Sequence, residues 1–226
     1  TGLPGRSQVG FVEDLLCDRA FLDDRANSAL EIATLEDLSN IGVLTPHLMA
    51  NAAAATALAR SFGIQPAEIR QALIEFRLDA HRIELVGEYG GVRWIDDSKA
   101  TNPHAASASL NSFERVVWIV GGLLKGVDLS DVIQKYSSRF STAIVIGKDR
   151  QPVLESLAAN APECQIIEIS DSDQVMHDAV KAAKNSAKPG DVVLLAPAAA
   201  SMDQFRDYAD RGNQFADQVR IQMEQI

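Results

Sequence analysis

The chain has 226 residues, 46% of them hydrophobic and 23% charged, an ordinary globular balance with ample core for one large domain or two small ones. A formal net charge of −10 argues against a general nucleic-acid binder and against an anionic membrane surface as partner, although a local cluster of lysines and arginines can still hold a small anion. No apolar run approaches the roughly 20 residues that span a bilayer. Two widely separated cysteines, Cys17 and Cys164, point to ordinary thiols in a reducing cytoplasm rather than to a disulfide framework or a metal site.

The N-terminus, Thr1-Gly2-Leu3-Pro4-Gly5, carries neither an initiator methionine nor a basic-then-apolar signal pattern, and is read as the interior of a longer parent. The first 45 residues look irregular: apolar stretches at 9–12, 15–17 and 29–32 are broken by acidic and turn residues, like the trailing strands and loops of a domain. Pro46 opens an alanine-rich helix expected over 47–62 and ended by Gly63. A second helix is expected from Pro66 to Phe76, with Ile69, Leu73 and Phe76 on one face. Residues 77–80 are the expected boundary between a domain at 1–80 and another at 81–226.

Beyond it, 83–88 and 92–95 flank Tyr89-Gly90-Gly91 and predict a β-hairpin. Strands expected at 116–120, 143–146, 166–169 and 192–195 then alternate with helices at 103–111, 129–138, 151–160, 173–186 and 202–224. Val116-Val117-Trp118-Ile119-Val120 and Val192-Val193-Leu194-Leu195 are apolar without alternation, as expected of parallel strands covered on both faces. The fold class is therefore α/β, a small doubly wound, mostly parallel, Rossmann-like sheet preceded by the trailing part of another domain.

Ligands of such sheets bind outside the carboxyl ends of the strands, where three polar loops are expected. Residues 96–102 carry Asp96, Asp97, Ser98, Lys99 and Thr101, and Asn102-Pro103 supplies a helix cap and a first-turn proline. Residues 121–126, Gly121-Gly122-Leu123-Leu124-Lys125-Gly126, offer bare backbone amides and a lysine. Residues 197–201 deliver Ser201 to the expected start of the last helix, where amides and the helix dipole favour an anion. Each has a plainer reading: Ser201 with Gln204 matches a capping box, and a lysine beside a glycine turn is common at surfaces. Taken together, Lys99, Lys125 and Ser201 are expected to meet carboxylate or phosphate oxygens, and Asp97 a ribose diol or a metal. Lys148, beyond the strand at 143–146, is read as solvated.

Common signatures of other chemistries are missing. The sequence has no GxxxxGK[ST] phosphate loop, no GxGxxG after the first strand, no serine nucleophile elbow and no zinc-ligand cluster, and His47, His81, His104 and His177 show no ligand spacing.

Asp97-Ser98-Lys99-Ala100-Thr101-Asn102 resembles the D-S-K-A-T-N motif of the D-glutamate-adding branch of the Mur ligase family. His81-Arg82-Ile83-Glu84, the GGxxKG of 121–126, Leu195-Ala196-Pro197 through Ser201-Met202-Asp203-Gln204-Phe205, and Arg211-Gly212-Asn213-Gln214-Phe215 agree in order and spacing. The resemblance runs from about His47 onward. It implies that 81–226 form the amino-acid-binding C-terminal domain and 1–80 the end of a central ATPase domain whose phosphate loop is absent. The implied reaction uses ATP and Mg2+ to phosphorylate the carboxylate of UDP-N-acetylmuramoyl-L-alanine. The amine of D-glutamate then attacks the acyl phosphate through a tetrahedral intermediate, in cytoplasmic peptidoglycan precursor synthesis. By the same resemblance Asn51 faces the adenine, Arg82 contacts ATP phosphate and Asp97 the ribose. Lys99, the expected catalytic residue, and Thr101 bind substrate, while Lys125 and Ser201 hold the D-glutamate carboxylates with Tyr208 beside them. No protein-bound metal is expected from these residues. The protein is expected to be a monomer, inactive as this piece alone. Leu48, Leu123, Tyr208 and Ala199 depart from the family's usual Asn, polar residue, Phe and Cys. A sister Mur or folylpolyglutamate-type ligase, and a non-catalytic ligand-binding module, are the alternatives.

Overall fold

A computed structural model describes residues 3–223. The chain forms two compact units, Thr1–Leu78 and Asp79–Ile226. In the first, the apolar stretches at 9–12, 15–17 and 29–32 are the strands of a sheet: β1 (Val9–Val12), β2 (Leu15–Asp18) and β3 (Leu30–Thr34) pair antiparallel in chain order. Glu13 and Asp14 turn β1 into β2, with Val12 opposite Leu15. Helices α1 (Pro46–Ser61) and α2 (Pro66–Glu75) each begin on a proline, whose missing N–H costs nothing in a first turn. Phe11, Leu16, Ile32 and Ala33 from the sheet bury against Ala52, Ala53, Ile69 and Leu73 from the helices. Asp18 is buried with them and answered by Arg60 Nε at 2.9 Å and by the amides of Ala20 and Phe21.

The second unit opens with the expected hairpin, β4 (Glu84–Tyr89) and β5 (Val92–Asp96). Its two-residue turn, Gly90-Gly91, has φ of 58° and 74°, the left-handed pair that matches strand twist and that glycine adopts without strain. Strands β6 (Val116–Gly121), β7 (Phe140–Ile146), β8 (Gln165–Glu168) and β9 (Val192–Leu195) complete a sheet in the order β4-β5-β9-β6-β7-β8, parallel except for the hairpin. The crossovers through α3 (Pro103–Leu110), α4 (Ser130–Tyr136) and α5 (Gln151–Asn160) run one way along the sheet, and α6 (Val175–Ser186) returns the chain to β9. Right-handed crossovers therefore put α6 on the opposite face, where α7 (Tyr208–Met223) packs beside it. Val117, Ile119, Ile144, Ile146, Val193 and Leu195 face α6 and α7, and the alternate residues Val116, Trp118, Val145 and Leu194 are buried toward the other layer. The doubly wound α/β expectation holds. No helix among the described residues is long and apolar enough to cross a membrane.

One element departs from expectation. The last helix begins at Tyr208, not Met202, and its expected end at Glu224 lies outside the described residues. Residues 201–207 are a run of turns because their side chains are engaged elsewhere. Gln204 accepts from the Gly147 amide and donates to Asp171, while Asp203 accepts from the Lys148 amide. Asp207 is the residue that caps the helix, accepting from the Asp210 amide at 2.8 Å.

Candidate functional site

Strand order decides which loops meet. Because β9 lies between β5 and β6, residues 197–201 run between 96–102 and 121–126 at the carboxyl edge of the sheet. Backbone bonds tie the three together: Asp97 N–H to Leu195 O (2.8 Å), Ala198 N–H to Ala100 O (2.9 Å), Gly121 N–H to Pro197 O (2.9 Å) and Leu123 N–H to Ala200 O (2.8 Å). The contacts are close enough to require glycine. Gly121 and Gly122 have φ of 112° and 128°, and a Cβ on either would overlap a carbonyl oxygen, that of Ile146 or of Ala200.

Arg211 holds this edge from beneath. Fully buried on α7, it donates from Nε to Ser98 Oγ (2.9 Å), from Nη2 to Ser98 O (2.9 Å) and from Nη1 to Ala199 O (3.2 Å). Ser98 Oγ in turn donates to Tyr208 O at 2.7 Å. Burial lowers the Arg211 pKa to about 10, countered by Asp203 and Asp96, so the guanidinium stays charged at neutral pH. Beside it, His81 Nδ1 lies 2.6 Å from buried Asp96 Oδ2, and this hydrogen bond holds the imidazole pKa above its ordinary value against desolvation. Gly212 is the only residue type that fits there, since a Cβ would overlap His81 Nδ1 and Asp96 Oδ2. The sequence offered Arg211 and Gly212 only as part of a matched stretch. A conspicuous Arg-Gly pair inside an otherwise amphipathic helix was the available signal.

His81, Glu84 and Asp96 bring three potential ligand atoms within 4.8 Å of one another. They are already engaged: Asp96 with His81 and the Ser98 amide, Glu84 Oε2 with the His81 amide. The arrangement is a hydrogen-bonded cluster.

The expected site residues are distributed as follows. Lys99 is half-buried, its Nζ 3.6 Å from the centre of the Tyr208 ring, a cation–π contact, with no ion pair among the described residues. Thr101 follows it, half-buried, with its amide on Lys99 O. Lys125 is exposed at φ 56°, on a cleft of about 390 Å³ that Lys148 and Asp203 also line. Lys148 is exposed as expected, yet it shares that cleft, which Lys99, Thr101 and Ser201 do not line. Ser201 is buried, seven residues before α7, so neither a helix N-terminus nor a capping box surrounds it; its carbonyl receives the amides of Gln204 and Phe205. The three loops come together as expected, while their polar side chains do not share one pocket.

Asp97 is buried. Burial pushes its pKa to about 6, opposed by hydrogen bonds from Ser109 and the Ile83 amide. Arg82 is exposed, its Nε 3.7 Å from Asp79. In the first unit Asn51 is exposed on α1, at an apolar groove also lined by Leu48, Ala55, Ile69 and Leu73. Cys17 and Cys164 are free and buried, and burial drives the Cys164 thiol up to about 11, so neither is a poised nucleophile.

The chain is 52% identical over 215 residues to the UDP-N-acetylmuramoylalanine–D-glutamate ligase of Leifsonia xyli, covering 94% of this chain and 42% of that protein. It is 47% identical over 220 residues to the enzyme of the same name from Streptomyces coelicolor, covering 97% and 46%. It thus spans less than half the length of these relatives. The fold resembles that of a UDP-N-acetylmuramate–alanine ligase from Thermotoga maritima (TM-score 0.58, 16% identity, 95% of this chain and 45% of that one). It also resembles a bifunctional folylpolyglutamate synthase/dihydrofolate synthase from Yersinia pestis (TM-score 0.51, 21% identity, 81% and 40%). Residues 81–199 match the family profile described as the glutamate ligase domain of Mur ligases, and the chain belongs to the Mur ligase family.

Proposed function

We propose that this chain is part of an ATP-dependent ligase that joins D-glutamate to UDP-N-acetylmuramoyl-L-alanine, acting as a monomer in the cytoplasm. What carries the reading is the row of loops at the carboxyl edge of the second unit, where Lys99 and Lys125 are left without carboxylate partners among the described residues. In this reading residues 1–80 are the end of a central ATP-binding domain, and 81–226 the domain that receives the amino acid.

A dianionic amino acid needs fixed cations and donors at its carboxylates while its amine stays free to attack. Lys125 and Ser201 serve the carboxylates, and Tyr208 closes one side. Lys99 and Thr101 lie on the loop nearest the hairpin. The Tyr208 ring restrains the Lys99 ammonium, which offers positive charge to the negative charge that develops as the amine attacks. Mg-ATP supplies the phosphoryl group that turns the acceptor carboxylate into an acyl phosphate.

Each unit carries groups suited to a nucleotide. In the second unit by itself the exposed Arg82 guanidinium suits a phosphate, and Asp97 keeps lone pairs beyond those given to Ser109 and Ile83; in the first unit by itself the exposed Asn51 amide can pair with adenine. The phosphate loop is not in this sequence, so ATP and Mg2+ are held mainly outside these residues.

The full-length protein is expected to release phosphate from ATP only with UDP-N-acetylmuramoyl-L-alanine and D-glutamate both present, and the 226-residue chain alone to release none. Turnover of the full-length protein with a different amino acid in preference to D-glutamate would reject the reading.

A further inference from the structure

The cleft beside the glycine-rich loop holds two lysines, only one of which the proposed chemistry uses. Lys125 comes from the loop after β6 and Lys148 from the loop after β7. Neither ammonium has an ion-pair or hydrogen-bond partner among the described residues. The acids of the same cleft are differently placed. Asp128 accepts from the Ser130 amide and hydroxyl at 2.9 and 2.7 Å. Asp203 Oδ2 accepts from the Lys148 amide at 3.0 Å, and its Oδ1 is buried without a hydrogen-bond partner among the described residues. Only Asp149 is exposed and uncommitted.

Lys148 is held in place by its backbone. Gly147, at φ 114°, donates its amide to Gln204 Oε1 at 2.7 Å and packs on Gly122, so closely that a Cβ would meet the Gly122 nitrogen at 2.8 Å. The loop after β7 is therefore locked against the loop that carries Lys125. Leu123, Leu124 and Val127, from the same loop as Lys125, line the cleft with apolar surface suited to methylene groups.

Strand order gives the pair a direction. β6 and β7 are neighbours, about 5 Å apart, whereas β5, which leads to Lys99, lies two strands from β6, about 10 Å away. Along the sheet edge, Lys125 and Lys148 therefore both lie to the same side of Lys99.

We propose that Lys148 is a second cation of the amino-acid site, and that with Lys125 it binds the side-chain carboxylate of the incoming acidic amino acid, making it a specificity-determining residue. The inference rests on the reading that Lys125 serves a carboxylate of D-glutamate.

The test is steady-state kinetics of the full-length ligase. Lys148→Gln is expected to raise KM for D-glutamate roughly tenfold or more, the loss of one charge-assisted hydrogen bond, with KM for ATP unchanged. Lys148→Arg should restore most of it, and Lys181→Gln, at an exposed position on α6, should change nothing. The preference for D-glutamate over D-glutamine, which lacks the side-chain charge, should shrink in Lys148→Gln. An unchanged KM for D-glutamate in Lys148→Gln, or an unchanged preference over D-glutamine, overturns the assignment. Lys125→Gln distinguishes a failure of Lys148 alone from a failure of the whole carboxylate assignment. If it raises KM for D-glutamate while Lys148→Gln does not, only the role of Lys148 fails; if neither does, the carboxylate role of Lys125 fails with it.

Discussion

Arg211 is a cation with no carboxylate within ion-pair distance among the described residues, buried completely on the last helix. Its planar fork directs its donors to Ser98 and Ala199, so one side chain sets the spacing between two loops of the sheet's carboxyl edge. A lysine would keep the charge but not the fork. Asp97 presents the reverse case, an acid that folding discourages from ionising. Its pKa moves from 3.8 to about 6, chiefly through burial. Between about pH 4 and 6 the native state retains a proton that the unfolded chain gives up, so this group's contribution falls as pH rises through that window. The loss is on the order of 2–3 kcal/mol. Asp97→Asn cannot ionise, so the unfolding free energy of the variant should gain on that of the wild type from pH 4 to pH 7. Denaturant titrations at several pH values measure this difference; a flat difference would mean that Asp97 ionises without penalty.

The last helix shows how local signals mislead at the scale of an element. Ser201 followed by Gln204 reads as a capping box, and nothing local contradicts a helix from Met202. The tertiary structure recruits Gln204 to the Gly147 amide and to Asp171, and the helix starts at Tyr208 under Asp207 instead. Asp207→Ala should therefore cost about 1 kcal/mol, seen as a lower urea midpoint, while Ser201→Ala should leave it within error. Equal losses would return the helix start to Met202. The strands of the first unit were legible only as short apolar stretches at 9–12, 15–17 and 29–32, for a related reason. Each has only four or five residues, and their faces bury Phe11, Leu16 and Ile32 against helices more than ten residues away, so no long alternation marks them. The hairpin at Gly90-Gly91 and the buried runs of β6 and β9 were legible because their signals, a left-handed turn pair and continuous apolar strands, are contained within the element.

At the scale of the whole molecule, each unit has a core made of its own residues, Phe11 to Leu73 in one and Val92 to Met223 in the other. Residues 77–80, between them, are mostly exposed, Arg77 included. Limited trypsin digestion should cut first after Arg77 and leave the second unit as the resistant fragment. Early cleavage at Lys99 or Arg211 would show that the core of the second unit is less protected than its burial implies.

The sequence by itself determined the alternation of strands and helices, the glycine turns and the identity of the lysine-bearing loops, because periodicity, turn chemistry and motif spacing act over a few residues. It did not determine that Gln204 serves a neighbouring loop, that Arg211 points into the core, or that Lys148 shares a cleft with Lys125. Those depend on strand order. Placing β9 between β5 and β6, with β7 beyond, is the work of crossovers that bring residues a hundred positions apart into hydrogen-bond distance, and no local period in the sequence encodes it.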